Sequence, residues 1–173
     1  MKKWKVLSEE LVNKRQFRPT AKVRCRLPNG RIGTFYLRVT GALVCALVLT
    51  KRRMVVLAQQ YRLGPDAVLG ELPGGIADDG ETPRCAIVRE VLEETGYRGR
   101  VQFLGRSFVS AWVRGVRYHF LITDAAKVQD PQNDDYEMSE PILVSIAELK
   151  HRLKKGLMTD CETAYRGLEQ IGR

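Results

Sequence analysis

The segment GIADDGETPRCAIVREVLEETGY, residues 75–97, decides the fold of this chain. Thr82 is a favourable N-cap residue, and Pro83 suits the first position of a helix, because the amide that proline lacks would have no partner there. Gly96 is typical of the left-handed residue that ends a helix. The pattern therefore predicts a helix from about Pro83 to Thr95, and we call residues 75–97 the acidic segment.

Three glutamates of this helix predict a cation site. Glu90 and Glu94 are four residues apart and share one helix face, and Glu93 borders that face. Carboxylates this close repel one another and raise each other's pKa, so the cluster costs stability unless a cation neutralises it. Oxygen ligands suit Mg²⁺, with Mn²⁺ as the alternative ion. The competing interpretation is a solvated acidic helix face in which Arg89 forms salt bridges.

The spacing of the acidic segment also resembles the Nudix box. Gly75, Glu81 and the run REVLEETGY (residues 89–97) stand at the positions that the box requires. The resemblance implies a Nudix hydrolase, a family that uses Mg²⁺ or a similar cation to cleave pyrophosphate bonds in nucleoside diphosphates linked to another group. Outside the box, QYR (residues 60–62) and ELPGG (residues 71–75) resemble the ADP-ribose and nucleotide-sugar pyrophosphatase branch.

The resemblance implies metal ligands from the helix and from the loop before it: Glu90, Glu94, Glu93 and Gly74. Gly74 stands where the family has an alanine that lends its backbone carbonyl to a metal ion. Arg89 and Glu93 are expected to act in catalysis. Arg89 is expected to orient the carboxylates through a charge-assisted pair, with Glu81 as the candidate partner.

Substrate contacts and the catalytic base follow from the same resemblance. Arg38, Arg62 and Glu71 are expected to bind the substrate, with a purely structural role as the alternative for Arg62 and Glu71. The catalytic base is expected in the acidic loop NDDYE (residues 133–137). Its candidates are Glu137 and Asp135, and a solvated acidic loop is the alternative.

Two departures from the family pattern leave the substrate open. The family's alanine is Gly74, and the stretch AWVRG (residues 111–115) lacks the proline that ADP-ribose enzymes usually carry after the box. ADP-ribose, other ADP-sugars, GDP-sugars and dinucleotides all stay candidates. Trp112 and Tyr118 are candidates for stacking a base, with a place in the core as the alternative.

The chain divides at about residue 38. Residues 1–38 alternate polar and apolar residues around the turn Pro28-Asn29-Gly30, which predicts a small N-terminal antiparallel sheet. The family resemblance implies a homodimer in which this sheet is exchanged between subunits. Residues 39–173 are predicted as the Nudix hydrolase domain, an α+β fold in which helices cover a mixed sheet as an α/β/α sandwich. The predicted elements are strands at 41–50, 54–61, 69–73, 98–110, 116–123 and 141–146, and helices at 83–95, at 147–155 and from an Asp160 N-cap to about residue 171.

The formal charge of +9 indicates an anionic partner. A basic field concentrates phosphate-bearing substrates, and it is also typical of nucleic-acid surfaces. Since the basic residues are dispersed, we favour substrate steering and regard nucleic acid as a poor candidate. No apolar run reaches the length of a membrane helix and no signal-peptide pattern is present, so we expect no membrane and a cytoplasmic location. Four widely spaced cysteines and two histidines give no zinc-binding pattern.

The leading hypothesis is an enzyme, a metal-dependent pyrophosphohydrolase that splits a nucleoside diphosphate sugar into a nucleoside monophosphate and a sugar phosphate. Removal of damaged nucleotides or dinucleotides is an alternative with the same chemistry. The alternative of a different class is a Nudix-fold module that binds nucleic acid or regulates a partner without catalysis. Such modules usually lose carboxylates from the box, and this chain keeps them.

Overall fold

The computed structural model describes residues 2–13, 19–132 and 138–172. Within these ranges the elements are β1 (Lys5–Leu11), β2 (Thr20–Arg26), β3 (Ile32–Val39), β4 (Leu43–Thr50), β5 (Val55–Arg62), β6 (Ala67–Glu71), β7 (Gly74–Ile76), α1 (Pro83–Thr95), β8 (Tyr97–Ser110), β9 (Val113–Lys127), β10 (Glu140–Val144), α2 (Ile146–Lys155) and α3 (Cys161–Ile171).

The strands of the described residues form one mixed sheet. Its main order is β1-β2-β3-β9-β4-β5-β10, with β6 beside β5, β7 beside β4 and β8 beside β9. β9 runs parallel to β3 and β4 and antiparallel to β8. The other pairs are antiparallel.

The central strand β4 is apolar on both faces because helices cover both sides of the sheet. On one face Val44, Ala46 and Val48 pack with Ile87 and Val91 of α1. On the other face, β4 residues pack in a second core with residues of α2 and α3. This core includes Cys45, Leu47 and Leu49 of β4, Leu149 and Leu153 of α2, and Ala164 of α3. A strand covered on both faces requires a continuous apolar run rather than alternation. The predicted α/β/α sandwich with a mixed sheet is confirmed.

Local capping sets the ends of α1. The Thr82 hydroxyl accepts a hydrogen bond from the Cys85 amide over 3.2 Å. Gly96 has φ 73°, and its amide donates to the Leu92 carbonyl over 2.8 Å. The helix therefore begins and ends where the sequence predicted, at Pro83 and Thr95. In the described part of the chain, no helix combines the length and apolar character needed to cross a membrane.

β4 and β5 diverge like the arms of a fork. They pair at Val48 with Val56 and at Leu49 with Val55. Further along, β4 pairs with β7, and β5 pairs with β6. The connection between β6 and β7 is bonded to β4 as well, because the Pro73 carbonyl accepts the Ala46 amide over 3.1 Å. The chain from β6 to β7 thus fills the open end of the fork, where the acidic segment begins.

The N-terminal strands form an antiparallel lobe with its own small core. Ala21, Val23 and Cys25 are buried there beside Phe35, Leu37 and Val39 of β3. The predicted turn is present, with Gly30 at φ 85°. The lobe joins the main sheet where the end of β3 pairs with the start of β9. The predicted N-terminal sheet is confirmed, and its role in dimerisation stays a prediction.

Two strands, β1 and β7, were not predicted as separate elements. Every residue of β1 is exposed, so the strand carries no alternation between buried and exposed positions. β7 has three residues, two of them glycine, and it forms through its pairing with β4 at the open end of the fork. Neither strand has the local pattern on which a strand prediction depends.

Candidate active site

Carboxylates of the acidic segment gather around the guanidinium of Arg89. Its Nη2 lies 2.9 Å from Glu81 Oε2, and its Nη1 lies 3.0 Å from both Glu90 Oε1 and Glu93 Oε2. Nη2 also donates to the Ile76 carbonyl over 3.3 Å. The hydrogen bonds to Glu81, together with the charge of Glu90, raise the pKa of Arg89, and the same contacts with Arg89 lower the pKa of Glu81. We call Arg89, Glu81, Glu90 and Glu93 the acid-rich cluster.

This cluster carries more negative than positive charge. Arg89 supplies one cation against the three glutamates, and Asp78 adds a fourth carboxylate 3.8 Å from its Nε. Glu81 and Glu90 are largely shielded from solvent, so water screens their repulsion poorly. In the arrangement seen, Arg89 occupies the space between the carboxylates. In the described ranges, no three Asp, Glu, His or Cys side chains converge as metal ligands.

The glycines before α1 bring the backbone against the glutamates. The Gly74 amide donates to Glu94 Oε2 over 2.9 Å. A Cβ added at Gly75 would overlap the Glu90 carboxylate, and one added at Gly74 would overlap the backbone of β4. Absence of side chains thus lets carboxylates and peptide groups share a small space. This oxygen-only donor set fits a hard cation such as Mg²⁺.

The two candidate bases, Asp135 and Glu137, lie outside the described residues. The residues on either side are bonded to the end of α1. The Gln132 amide donates to the Glu93 carbonyl over 2.7 Å, and the Ser139 hydroxyl donates to the Glu94 carbonyl over 3.0 Å. Both ends of the segment that contains the candidates are therefore attached beside the predicted metal ligands.

Arg62 and Glu71, two predicted substrate-binding residues, contact each other. Arg62 Nε donates to Glu71 Oε2. Glu71 is buried to 1% exposure and also accepts a hydrogen bond from the Thr159 hydroxyl. A carboxylate this buried requires such partners. The ion pair holds Arg62 in place, and Arg62 keeps exposed surface from which to reach a ligand.

Arg38, the third predicted substrate-binding residue, lies apart from this pair. It pairs with Val113 of β9, and its amide donates to the Trp112 carbonyl over 3.1 Å. No ion pair joins Arg38 to the acidic segment among the described residues. Trp112 stacks on Phe35 of the N-terminal lobe, with ring centroids 6.1 Å apart, and is more than half exposed. Arg38 and Trp112 therefore belong to the junction between lobe and main sheet.

Asp160 corrects one expectation. It is the N-cap residue of α3, but its side chain makes no capping hydrogen bond. Instead, Oδ1 lies 3.0 Å from Nη1 of Arg117, and Oδ2 lies 3.2 Å from the Thr159 hydroxyl. Burial raises the pKa of Asp160, while the charge of Arg117 opposes that shift. The physical reason is that a buried carboxylate gains more from a guanidinium than from a peptide amide.

A buried histidine that the sequence did not single out lies beside α3. His119 is fully buried, with Nε2 3.0 Å from Ser107 Oγ and Nδ1 2.8 Å from Thr163 Oγ1. The Ser107 hydroxyl also donates to Glu162 Oε2 over 2.7 Å. In a nucleophilic triad the acid orients the histidine nitrogen that faces away from the serine. Here Glu162 lies on the serine side, so the group is a structural network.

Comparisons with known proteins agree with the geometry. A family model described as the NUDIX domain matches residues 38–160 of the chain. The chain belongs to the Nudix hydrolase family. The predictions of this family and of a pyrophosphohydrolase are confirmed.

Similar proteins match over most of this Nudix chain. A protein of Streptomyces rubellomurinus named CMP-5'-(N-acetyl-N-hydroxy-3-aminopropyl)phosphonate hydrolase is 27% identical over 98% of the chain and 83% of its own length. An ADP-ribose pyrophosphatase of Bacillus subtilis is 23% identical over 80% of the chain and 77% of its own length. A solved structure of an ADP compounds hydrolase superposes with a TM-score of 0.83 at 17% identity, covering 99% of this chain and 96% of that one. The last comparison confirms the fold.

Proposed function

We propose that this Nudix hydrolase cleaves the pyrophosphate bond of a nucleoside diphosphate sugar, either ADP-ribose or a similar ADP- or GDP-sugar. The products are a nucleoside monophosphate and a sugar phosphate. The observation that carries the proposal is the acid-rich cluster, with Glu94 bonded to the backbone of Gly74. The name of the Bacillus subtilis relative supports ADP-ribose as the first substrate to test.

Glu90, Glu93 and Glu94, with the Gly74 carbonyl, are the residues that would hold Mg²⁺ or Mn²⁺. When bound, the cation neutralises pyrophosphate charge and lowers the pKa of the attacking water. Arg89 holds Glu90 and Glu93 in place, and its Ile76 contact ties the group to β7. This prior positioning is what makes electrostatic catalysis effective.

The remaining roles belong to residues at the edge of this site. Glu137 or Asp135 would take the proton of the attacking water while the bond between the bridging oxygen and phosphorus breaks. Arg62 and Arg38 would stabilise negative charge on the phosphoryl oxygens. Glu71 orients Arg62 through their ion pair.

A screen of ADP-ribose, ADP-glucose and GDP-mannose with Mg²⁺ tests the proposal. Chromatography should identify a nucleoside monophosphate and a sugar phosphate in equal amounts. The E94Q variant, assayed at the same concentration, should release neither. Equal release by both proteins would indicate a contaminating enzyme, and no release from any substrate would contradict the substrate class.

A second candidate substrate is a nucleotide joined to a phosphonate. The match to the CMP-phosphonate hydrolase covers nearly the whole chain, more than the match to the ADP-ribose pyrophosphatase. A CMP-linked phosphonate therefore belongs in the same screen. Faster turnover of this compound than of all three nucleotide sugars would favour the second candidate.

A binding module without catalysis is the alternative of another class. It predicts retention of RNA on the immobilised protein in EDTA, lost as salt rises, and no product from any nucleotide. The same preparation is to be used for both assays. Salt-sensitive RNA retention without turnover would contradict the enzyme hypothesis and support the binding module.

We further propose a homodimer in which the N-terminal lobe contributes to the partner's site. Support comes from the exposed apolar side chains of the lobe: Trp4, Val6, Leu11, Ile32 and Tyr36. Burial of such side chains in a contact between subunits is favourable. Light scattering at micromolar concentration should give about twice the 19.6 kDa of one chain. A fully active protein with the mass of one chain would contradict a shared site.

The proposed location is the cytoplasm. All four cysteines are unpaired thiols. Free thiols are typical of reducing compartments, which supports this location. Fractionation of cells that produce the natural protein tests it.

A further inference from the structure

A second group of charged side chains lies beside the open end of the fork. Arg62 donates to Glu71, Glu71 accepts from the Thr159 hydroxyl, and that hydroxyl also lies 3.2 Å from Asp160 Oδ2. Asp160 in turn pairs with Arg117 over 3.0 Å. We call these five residues the balanced cluster, because two carboxylates are matched by two guanidiniums.

The balanced cluster borders the proposed metal site. Arg117 of β9 is opposite Leu43 of β4, and Leu43 is opposite Ile76 of β7. Adjacent strands are about 4.8 Å apart, so roughly 10 Å separates the backbone of Arg117 from that of Ile76. Glu71, the last residue of β6, also lies three residues before Gly74, the first residue of β7. Arg117 thus lies two strands from the start of the acidic segment, and Glu71 lies close to that start in the chain.

Cys45 lies between the two sites. It pairs with Gly74 on one side and with His119 on the other. The Gly74 amide donates to Glu94, and His119 is two residues from Arg117 in β9. The backbone of Cys45 therefore joins a residue of the proposed metal site to the strand that carries Arg117.

Burial decides which groups of the cluster face a ligand. Glu71 is 1% exposed and the Asp160 side chain is 18% exposed. The arginines are more open, with side chains 39% exposed for Arg62 and 24% for Arg117. Each guanidinium has five N–H donors in a planar fork, and among the described residues each contacts a single carboxylate. Glu71 and Asp160 thus hold the two arginines from their buried side. N–H donors of both guanidiniums stay accessible to a ligand on the exposed side.

We propose that Arg62 and Arg117 form one anion subsite that binds a phosphoryl group of the substrate, with Glu71, Thr159 and Asp160 as positioning residues. The inference rests on the proposed function and adds Arg117 to its substrate-binding residues. Guanidiniums bind phosphate through paired, charge-assisted hydrogen bonds. Because the buried carboxylates already offset the charge of both arginines, the pair is ordered before the anion arrives, and binding loses little side-chain entropy.

The test separates binding by Arg117 from its structural pairing with Asp160. The variants are R117Q, D160N and R117Q/D160N, and the probe is inorganic pyrophosphate in EDTA, measured by calorimetry. R117Q leaves a buried carboxylate unpaired, so its Tm should fall, whereas the double variant removes both charges and should recover much of that Tm. Pyrophosphate affinity should fall about tenfold or more in both, since each loses the same charge-assisted hydrogen bonds. D160N keeps Arg117 and should lose less affinity than R117Q.

A matched control pair lies elsewhere on the surface. Arg100 and Asp124 form an exposed ion pair of nearly equal length, 2.9 Å. The variants R100Q and R100Q/D124N should bind pyrophosphate like the unmodified protein. A loss of affinity in these variants equal to that of R117Q would mean that net charge alone explains the effect, and the proposal would be wrong.

Turnover then distinguishes this inference from the proposed function. With the nucleotide found in the screen, R117Q/D160N should raise KM about tenfold and change kcat less than threefold. Wild-type pyrophosphate affinity in the double variant, or no pyrophosphate binding by the unmodified protein, would overturn the subsite. If no nucleotide is cleaved but the pyrophosphate series behaves as expected, the subsite stands and the proposed substrate class fails.

Discussion

The acid-rich cluster of α1 and its preceding loop and the balanced cluster of β5, β6 and β9 use the same chemical groups, yet they are suited to opposite ligands. In the first, one guanidinium is surrounded by three glutamates at 2.9–3.0 Å. In the second, two guanidiniums face one buried and one largely buried carboxylate. The surplus of carboxylates in the acid-rich cluster favours binding of a cation. In the balanced cluster the charges cancel, and N–H groups of the two guanidiniums stay available to bind an anion. The ratio of charges, rather than residue type, distinguishes the two clusters.

Removing the charge of Glu94, the residue after Glu93 of the acid-rich cluster, should give the largest effect. Glu94→Gln should lower kcat at least about 100-fold, since the loss of groups that only support a metal ligand already costs 10–100-fold. The amide oxygen of glutamine can still accept the Gly74 amide, so the fold should survive, with equal or higher Tm in EDTA. Glu148→Gln removes a helical glutamate paired with Arg152 on α2 and serves as the control. Near-normal turnover of the Glu94 variant at saturating Mg²⁺ would contradict the metal assignment.

A methyl group at Gly75 should perturb the same cluster through shape alone. Gly75→Ala places a Cβ inside the Glu90 carboxylate, so Glu90 or the backbone must move. We expect kcat to fall about 10–100-fold, because small displacements of catalytic groups have effects of this size. Gly64→Ala is the control, since a Cβ at Gly64 meets no atom within 4 Å. Equal activities of the two variants would show that Glu90 does not need its present position.

Removing Arg89 should lower the stability of the metal-free protein. Arg89→Gln leaves three carboxylates without their shared cation, which should lower the Tm in EDTA by about 2–8 °C, from roughly 1–2 kcal/mol and 2–4 °C per kcal/mol. Millimolar Mg²⁺ should narrow the gap to the unmodified protein, because the ion takes over the neutralisation. Arg100→Gln, at an exposed pair, should shift the Tm little. A gap that Mg²⁺ leaves unchanged would mean that the cation binds elsewhere.

The two clusters also differ in how far the sequence reveals them. The bounds of α1 follow from residues 75–97, where the caps and the proline act locally, and the Arg89–Glu81 contact follows from the family resemblance of the same segment. The Arg117–Asp160 contact joins two elements that are distant in the chain, and only burial makes Asp160 prefer a guanidinium to the helix amide. Local rules and the resemblance therefore predicted the acid-rich cluster in part and missed the Arg117–Asp160 contact. The roles of Glu90, Glu93, Glu94, Arg38, Arg62 and Glu71 in binding stay predictions.

The smallest expected effect concerns His119, next to the balanced cluster. Burial lowers its pKa from the ordinary 6.5, against the charge of Glu162 and with Arg166 and Arg117 also acting. Because the folded state binds the proton more weakly than the unfolded state, this histidine's contribution is complete above about pH 6.5 and is lost as the pH falls below it. His119→Gln should therefore make the Tm less dependent on pH between 7 and 5. His151→Gln, at an exposed position, is the control, and equal slopes for both variants would contradict this interpretation.

The parallel pairing of β4 with β9 determines when a growing chain can complete its sheet. β4 spans Leu43–Thr50, and β9 spans Val113–Lys127, so the fork and α1 leave the ribosome before the partner strand does. Until then one edge of β4 lacks the strand that bonds its backbone, and one apolar face lacks α3, and such exposure favours aggregation. Closing a loop of this length also precedes any gain from the pairing. The rate at which residues 97–127 are translated thus sets how long the apolar run VCALVL of β4 lacks β9 as its neighbouring strand.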